Sequence, residues 1–460
     1  MNRPSHPDSL ARALAGGPAR AVIVGAGLTG LSVARLLLAR GIAVAVTDTR
    51  GAPPELAALR TLAAQSGRVV TVRTGGFDAT LLADADLVVV SPGVATSGPF
   101  FETARARRLP IVGDIELFAR LAMAPVAGIT GTNGKSTVTT LLAGIAARAG
   151  VAVRAGGNLG PPALELLAAD AALYVLEISS FQLETTDSLR LKAAAVLNVT
   201  PDHLDRYADL ASYAAAKARI YTHCEVAVVN LDDPLVPGML RQAQPSLSFS
   251  LRAGARADYT LQALGGGAWL VRRGEPLLPL AQLRIAGAHN AANALAALAL
   301  AEALALPTGA ALEELRSFPG LAHRTQWIAE VRGVRFINDS KGTNVGATVA
   351  AVSGLPGPLL LILGGEGKGQ DFRPLRAAFD GKVRYAALIG RDADALAHAL
   401  AGICECEYAG SLEEAVQRAA QRARPGETVL LSPACASLDM FRNYAHRGSV
   451  FAEAVQRLVA

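Results

Sequence analysis

Aromatic side chains are scarce, at 5% of 460 residues. β-Sandwiches lean on aromatic and β-branched strands, so a chain this rich in Ala, Leu and Val points instead to α/β layers. Cysteine is scarcer still: only Cys224, Cys404, Cys406 and Cys435 occur. Four cannot staple a chain of this length, which excludes a small disulfide scaffold. The Cys404-Glu405-Cys406 pair lacks a second Cys/His pair at metal spacing, so reduced thiols are expected there rather than zinc. No run of five like charges occurs and the net charge is only +5, so no nucleic-acid partner is expected. Long hydrophobic runs are missing too. The richest apolar stretch, 291–306, carries Asn293 and Glu302 and reads as a core helix, with no membrane insertion. Met1 to Arg20 has no apolar signal-peptide core and reads as a frayed start. These absences together describe a soluble cytoplasmic protein, expected as a monomer.

What is present is strand–helix alternation. At roughly 150 residues per domain the length suggests three domains, and three separate series of βα signals agree. The first has strands at 21–24, 43–47 and 87–90, each ending in a turn signal. The second has strands at 125–130, 173–176, 193–197 and 226–229, a small β-excursion over 250–275, and a helix over 290–306 stopped by Pro307. The third has strands at 334–337, 359–363, 385–389 and 428–431. The expected domains are 1–113, 114–320 and 321–460. Short apolar runs with turns at their carboxyl ends predict α/β layers built on mainly parallel sheets.

Gly25-Ala26-Gly27-Leu28-Thr29-Gly30 follows a strand and opens a helix, with Asp48 ending the second strand. That is the context of a nucleotide-binding fingerprint: the glycines admit a pyrophosphate to helix-terminal N–H groups, and Asp48 offers an acceptor to a sugar hydroxyl. Gly131-Thr132-Asn133-Gly134-Lys135-Ser136-Thr137 is a shortened P-loop. Its backbone forms an anion nest, Lys135 brings a cation to the outer phosphates, and Ser136 offers a hydroxyl to Mg²⁺. Glu177, just past the second apolar run of this series, stands where such a fold places a further Mg²⁺ contact. His203, in the loop Asn198-Val199-Thr200-Pro201-Asp202-His203-Leu204-Asp205-Arg206-Tyr207, is a candidate metal ligand facing the phosphates. Lys217, in a helical segment, reads from its chemistry alone as a solvated helix lysine. Further polar loops hold His289, Asn290 and Asn293; His323 and Arg324; Asp339, Lys341 and Thr343; Lys368; and Ser432 to Asp439. Arg324 suits a phosphate clamp and Asp339 a ribose.

With these strings in hand the chain resembles the Mur ligase family. The carrying residues are Gly131 to Thr137, Leu176-Glu177-Ile178-Ser179-Ser180-Phe181-Gln182, Asn198 to His203, Asn338-Asp339-Ser340-Lys341, and Leu431 to Asp439. The P-loop string is shared with folylpolyglutamate synthases. The segments 179–182 and 432–437 are more particular to the D-glutamate-adding branch. The resemblance implies a Rossmann-like N-terminal domain, a central P-loop-type ATPase domain with a mainly parallel sheet and a Rossmann-like C-terminal domain, in an ATP-dependent amide ligase that acts on UDP-N-acetylmuramoyl-L-alanine and D-glutamate through an acyl phosphate, with two Mg²⁺ ions. By the same resemblance Leu28, Thr29, Asp48, Arg50 and Gly93 contact the uridine nucleotide, and Asn158 and His203 the sugar-peptide. Lys135, Ser136, Asn290, Asn293, Arg324 and Asp339 handle ATP. Ser136, Glu177 and His203 hold metal, joined by Lys217 in a carbamylated form. Lys341, Thr343, Lys368, Ser437 and Leu438 take the amino acid, with Tyr444 where the resemblance leads one to expect Phe. Competing readings are another amide ligase of this type, an NAD-dependent oxidoreductase built on Gly25–Gly30, and a non-catalytic nucleotide sensor.

Overall fold

A computed structural model describes residues 14, 19–68, 70–285 and 287–459. The expected frayed start lies outside these residues except for Leu14, Ala19 and Arg20, and Arg20 already opens a strand. Three sheets bear out the α/β expectation.

The first sheet contains β1 (Arg20–Val24), β2 (Ala43–Asp48), β3 (Val70–Thr74), β4 (Leu87–Val90) and β5 (Ile111–Val112). Its order is β3-β2-β1-β4-β5, and every pairing is parallel. The order reverses beside β1, which opens a crevice at the carboxyl ends of β1 and β4. The helix Leu28–Ala39 packs next to β1 because Gly30 permits it: a Cβ there would lie 2.0 Å from the Gly25 carbonyl oxygen.

The central sheet contains β6 (Val126–Thr130), β7 (Val153–Gly157), β8 (Leu173–Glu177), β9 (Leu191–Val196), β10 (Cys224–Asn230), β11 (Ser246–Ser250), β12 (Tyr259–Leu264), β13 (Gly267–Arg272) and β14 (Glu275–Pro279). Its order is β14-β13-β12-β11-β10-β9-β6-β8-β7. The expected β-excursion supplies β12 to β14. It extends the same sheet: β12 joins β11 in parallel, and β12, β13 and β14 pair antiparallel in turn. The helices Lys135–Arg148 and Ala288–Ala303 cover one face and share a core with Ile129, Val175 and Ala195. Among the described residues no helix is long and apolar enough to cross a membrane.

The third sheet contains β15 (Gln326–Val331), β16 (Val334–Asn338), β17 (Leu359–Gly364), β18 (Val383–Ile389), β19 (Glu405–Tyr408) and β20 (Thr428–Leu431), in the order β15-β16-β20-β17-β18-β19. Only β15 runs antiparallel to its neighbour. Leu359, Leu360, Leu361, Ile362 and Leu363 are all fully buried, as befits a central strand covered on both faces. Burying each such side chain is worth about 1.5–3 kcal/mol.

Candidate active site

The P-loop starts where β6 ends. Gly134 has φ 84° and caps the helix that Lys135 begins. A Cβ at Gly134 would meet Asn293 Oδ1 at 2.4 Å, so both backbone angle and space require glycine. The loop is laced to the segment after β9. Asn133 N–H donates to Asn198 Oδ1 (2.8 Å), Asn198 Nδ2 donates back to the Asn133 carbonyl (3.1 Å), and Thr132 N–H donates to the Asn198 carbonyl (2.9 Å). Lys135 Nζ folds onto the Gly131 and Thr132 carbonyls at 2.8 and 2.9 Å. Burial depresses its pKa, and the Glu177 carboxylate opposes that.

A chain of short contacts crosses the loop. Arg324 Nη2 donates to Ser136 Oγ (2.5 Å), and Ser136 Oγ donates to Glu177 Oε2 (2.6 Å). Asn158 Nδ2 donates to Glu177 Oε1 (2.6 Å). Glu177 is the last residue of β8 rather than the first beyond it. Burial pushes its carboxyl upward, but Lys135 and the Ser136 and Asn158 donors outweigh that, and it stays ionised below the usual range.

Lys217 corrects the reading from chemistry alone. The side chain is not solvated: the residue is 1% exposed, because this face of the helix Leu210–Ala218 turns inward under the P-loop. Its Nζ donates to the Gly131 carbonyl at 3.0 Å and lies 4.4 Å from the Tyr213 ring centroid. Burial, with Lys135 adding repulsion, drives its pKa well below that of a free lysine. That direction favours the neutral amine over the ammonium.

Lys135, Asn158, Glu177, His203, Lys217, Arg324, Lys341, Thr343 and Lys368 line one cavity of about 260 Å³. His203 has φ 55° and sets its ring edge-on to Phe181, centroids 4.8 Å apart. Burial lowers its pKa, which favours the neutral imidazole. A second cavity, about 140 Å³, is lined by Thr137, Asn290, Asn293, Arg324, Asp339 and Lys341 among others. Asn133, Gly134, Arg324 and Lys341 border both. Asp339 receives Thr325 N–H (3.0 Å) and Ser432 Oγ (2.7 Å), and burial lifts its pKa to about 6. Lys341 Nζ sits 3.9 Å from the Tyr444 ring centroid. Burial, then Arg324 and Lys135, bring its pKa down to about 7.

A third cavity, about 740 Å³, opens at the crevice of the first sheet. Leu28, Thr29, Asp48, Arg50, Gly93 and Asn158 line it, so Asn158 borders both this space and the 260 Å³ one. Asp48 departs from the expectation of a free sugar acceptor. Its Oδ2 takes Ala26 N–H (2.7 Å) and Arg50 Nη2 (2.6 Å), and its Oδ1 takes Arg50 N–H (2.8 Å) and Nε (2.9 Å). The hydrogen bond from Arg50 leads in lowering its pKa to about 2. Asp48 therefore pins the glycine loop first. Ser437 and Leu438 line none of the three cavities, and Leu438 is 69% exposed.

Sequence reasoning named Lys368, Asp202 and Asn133 but missed the contacts by which they and Asn344 tie the third sheet to the central one. Lys368 Nζ pairs with Asp202 Oδ1 at 3.0 Å, and Asn344 Nδ2 donates to Asp202 Oδ2 (3.1 Å) and Asn133 Oδ1 (3.3 Å). No spacing rule joins residues this far apart in sequence. Tyr213 was findable, standing one helical turn before Lys217.

The family comparison decides the identity. The Mur ligase MurD-like N-terminal domain model matches residues 19–113, the Mur ligase middle domain model 129–301, and the Mur ligase glutamate ligase domain model 323–435. The chain belongs to the Mur ligase family. This Mur ligase is 53% identical to the UDP-N-acetylmuramoylalanine–D-glutamate ligase of Nitrosococcus oceani, over 96% of this chain and 97% of that one. It is 48% identical to the enzyme of the same name from Pseudomonas aeruginosa, over 95% and 98%. Among solved structures it resembles the UDP-N-acetylmuramate-alanine ligase MurC of Thermotoga maritima, with TM-score 0.61, 20% identity, and 95% and 99% of the two chains covered. It also resembles MurF of Acinetobacter baumannii, with TM-score 0.60, 17% identity, and 99% of each chain covered. At those identities the likeness is one of three-domain fold.

Proposed function

We propose that this Mur ligase joins the alanine carboxylate of UDP-N-acetylmuramoyl-L-alanine to the amine of D-glutamate, with cleavage of ATP to ADP and phosphate, in cytoplasmic peptidoglycan precursor synthesis as a monomer. One observation carries the reading: the three cavities share wall residues. The nucleotide-sized first-sheet cavity and the P-loop cavity both border the 260 Å³ space, through Asn158 on one side and Arg324 and Lys341 on the other. The names of relatives at about 50% identity supply the substrates.

A carboxylate is a poor acylating agent, since its leaving group is oxide. Phosphoryl transfer from ATP gives an acyl phosphate, whose carbonyl the amine attacks; phosphate leaves and the amine loses its proton. In this reading Gly131 to Thr137 cradle the phosphates, with Lys135 and Arg324 opposing the charge that builds on the transferring group. Asn290, Asn293 and Asp339 hold adenosine. Leu28, Thr29, Arg50 and Gly93 hold the uridine nucleotide around a loop set by Asp48, and Asn158 and His203 face the sugar-peptide. Thr343, Lys341 and Lys368 receive the D-glutamate carboxylates above Tyr444. Ser437 and Leu438 join them on closure of the third domain, which also excludes water from the acyl phosphate.

Ser136 Oγ, the Glu177 carboxylate and neutral His203 are donors suited to Mg²⁺, which protein sites hold through one or two carboxylates together with substrate phosphates. Among the described residues no three His, Cys, Asp or Glu side chains form a ready cage. Bound there, the metal neutralises phosphate charge. Lys217 suits carbamylation: its neutral amine adds to CO₂ with loss of one proton and becomes an anionic metal ligand. The reading is tested by phosphate release with each substrate omitted in turn. Release should need ATP, UDP-N-acetylmuramoyl-L-alanine and D-glutamate together; equal release without the UDP-sugar would overturn it.

A further inference from the structure

Arg206 carries three contacts on two segments, the loop after β4 and the short helix Ser180–Glu184, and its side chain is only 15% exposed. Nη1 donates to the Pro92 carbonyl at 3.1 Å. Nη2 donates to Glu184 Oε2 at 2.7 Å. The guanidinium carbon lies 4.2 Å from the Phe181 ring centroid. Pro92 belongs to the loop after β4 and lines the 740 Å³ cavity with Gly93. Phe181 lines the 260 Å³ cavity and touches the His203 ring. Tyr207 backs the Phe181 ring, stacked at 5.9 Å, and its hydroxyl donates to Glu184 Oε1 at 2.5 Å. The backbone closes the circuit: Arg206 and Tyr207 N–H groups both donate to the His203 carbonyl at 3.0 Å.

We propose that Arg206 is a positioning residue that transmits occupancy of the first-sheet cavity to the His203 imidazole. This rests on the substrate reading above. A planar guanidinium bonds two acceptors in its plane while its face lies on a ring. Pro92 and Phe181 therefore cannot move independently. A ligand pressing on the 91–94 loop moves the Pro92 carbonyl, the guanidinium follows, and the Phe181 ring shifts against His203. His203 is poised to respond, because its left-handed backbone is held by its surroundings rather than by intrinsic preference. The Glu184 carboxylate neutralises Arg206, so what Arg206 contributes is geometry and not field.

UDP alone is the probe, since it fills the nucleotide part of the first-sheet cavity without a sugar-peptide to touch His203. In the full chain carrying ¹³C,¹⁵N-labelled histidine, the His203 ring resonances, assigned with His203→Gln, should shift when UDP binds. Arg206→Lys keeps the charge but cannot make both hydrogen bonds and the stack. It should bind UDP within threefold of wild type, lose the His203 shift, and lower kcat for phosphate release at least tenfold with KM for UDP-N-acetylmuramoyl-L-alanine within threefold. Phe181→Leu should lose the shift as well, which keeps the test open where Arg206→Lys fails to fold. The inference is overturned by a His203 resonance that UDP leaves unmoved in wild type, by a shift that survives in Arg206→Lys, or by a variant whose only defect is raised KM. Failure of wild type to bind UDP at all would instead sink the substrate reading beneath it.

Discussion

Lysine does three different jobs in this site, and the surroundings of each decide which. Lys135 is held by two carbonyls beside the Glu177 carboxylate. Lys135→Ala removes a cation from the phosphate nest, so turnover should fall at least about 100-fold, while calorimetry finds UDP-N-acetylmuramoyl-L-alanine binding little changed. Lys217 donates to the Gly131 carbonyl, with no carboxylate hydrogen-bonded to it among the described residues, and is driven toward the free amine. Lys217→Arg keeps a long basic side chain but cannot form a carbamate. It should be inactive, and a ¹³C carbamate signal seen in wild type under ¹³CO₂ should be missing from it; full activity in the variant would refute the carbamate. Lys341 titrates near neutrality, with a pKa of about 7 set first by burial and then by Arg324 and Lys135. Its ammonium is present below that value and lost above it. KM for D-glutamate should therefore rise between about pH 7 and 9, and Lys341→Arg, which stays charged, should flatten the rise.

At the scale of elements, the glycine loop after β1 is set by a single carboxylate. Asp48 is depressed to about 2, below its ordinary 3.8, so its contribution to stability is present above about pH 4 and disappears as pH falls toward 2. Asp48→Asn should lower stability by about 1–2 kcal/mol in urea unfolding at pH 7, discounted because Arg50 is half exposed, and the difference should vanish near pH 2. The buried strands were legible from sequence: β1, β4, β17 and β20 are short apolar runs with nearly every residue buried. Those that escaped notice are polar or edge elements. β3 reads Val70-Thr71-Val72-Arg73-Thr74, and β19 reads Glu405-Cys406-Glu407-Tyr408; each lies at a sheet edge. The P-loop, Glu177 and His203 were visible as strand ends and the loops that follow them, because chemistry and spacing coincide there. Burial of Lys217 was not, since the Ala-rich helix Leu210–Ala218 carries too little amphipathic signal to show which face turns inward.

Across the whole molecule, the site exists only where the three sheets meet. The third sheet reaches the P-loop through Arg324 on Ser136, Asn344 on Asn133 and Lys368 on Asp202. The first sheet reaches it through the Pro92 carbonyl and the cavity shared at Asn158. The chain's small positive excess is placed singly in these loops, facing substrates that are all anionic. The most direct test of the central claim is phosphate release from ATP with UDP-N-acetylmuramoyl-L-alanine and a panel of amino acids. Release with D-glutamate, and little with L-glutamate, L-lysine or meso-diaminopimelate, is the predicted result. Release with L-lysine or meso-diaminopimelate and none with D-glutamate would contradict it.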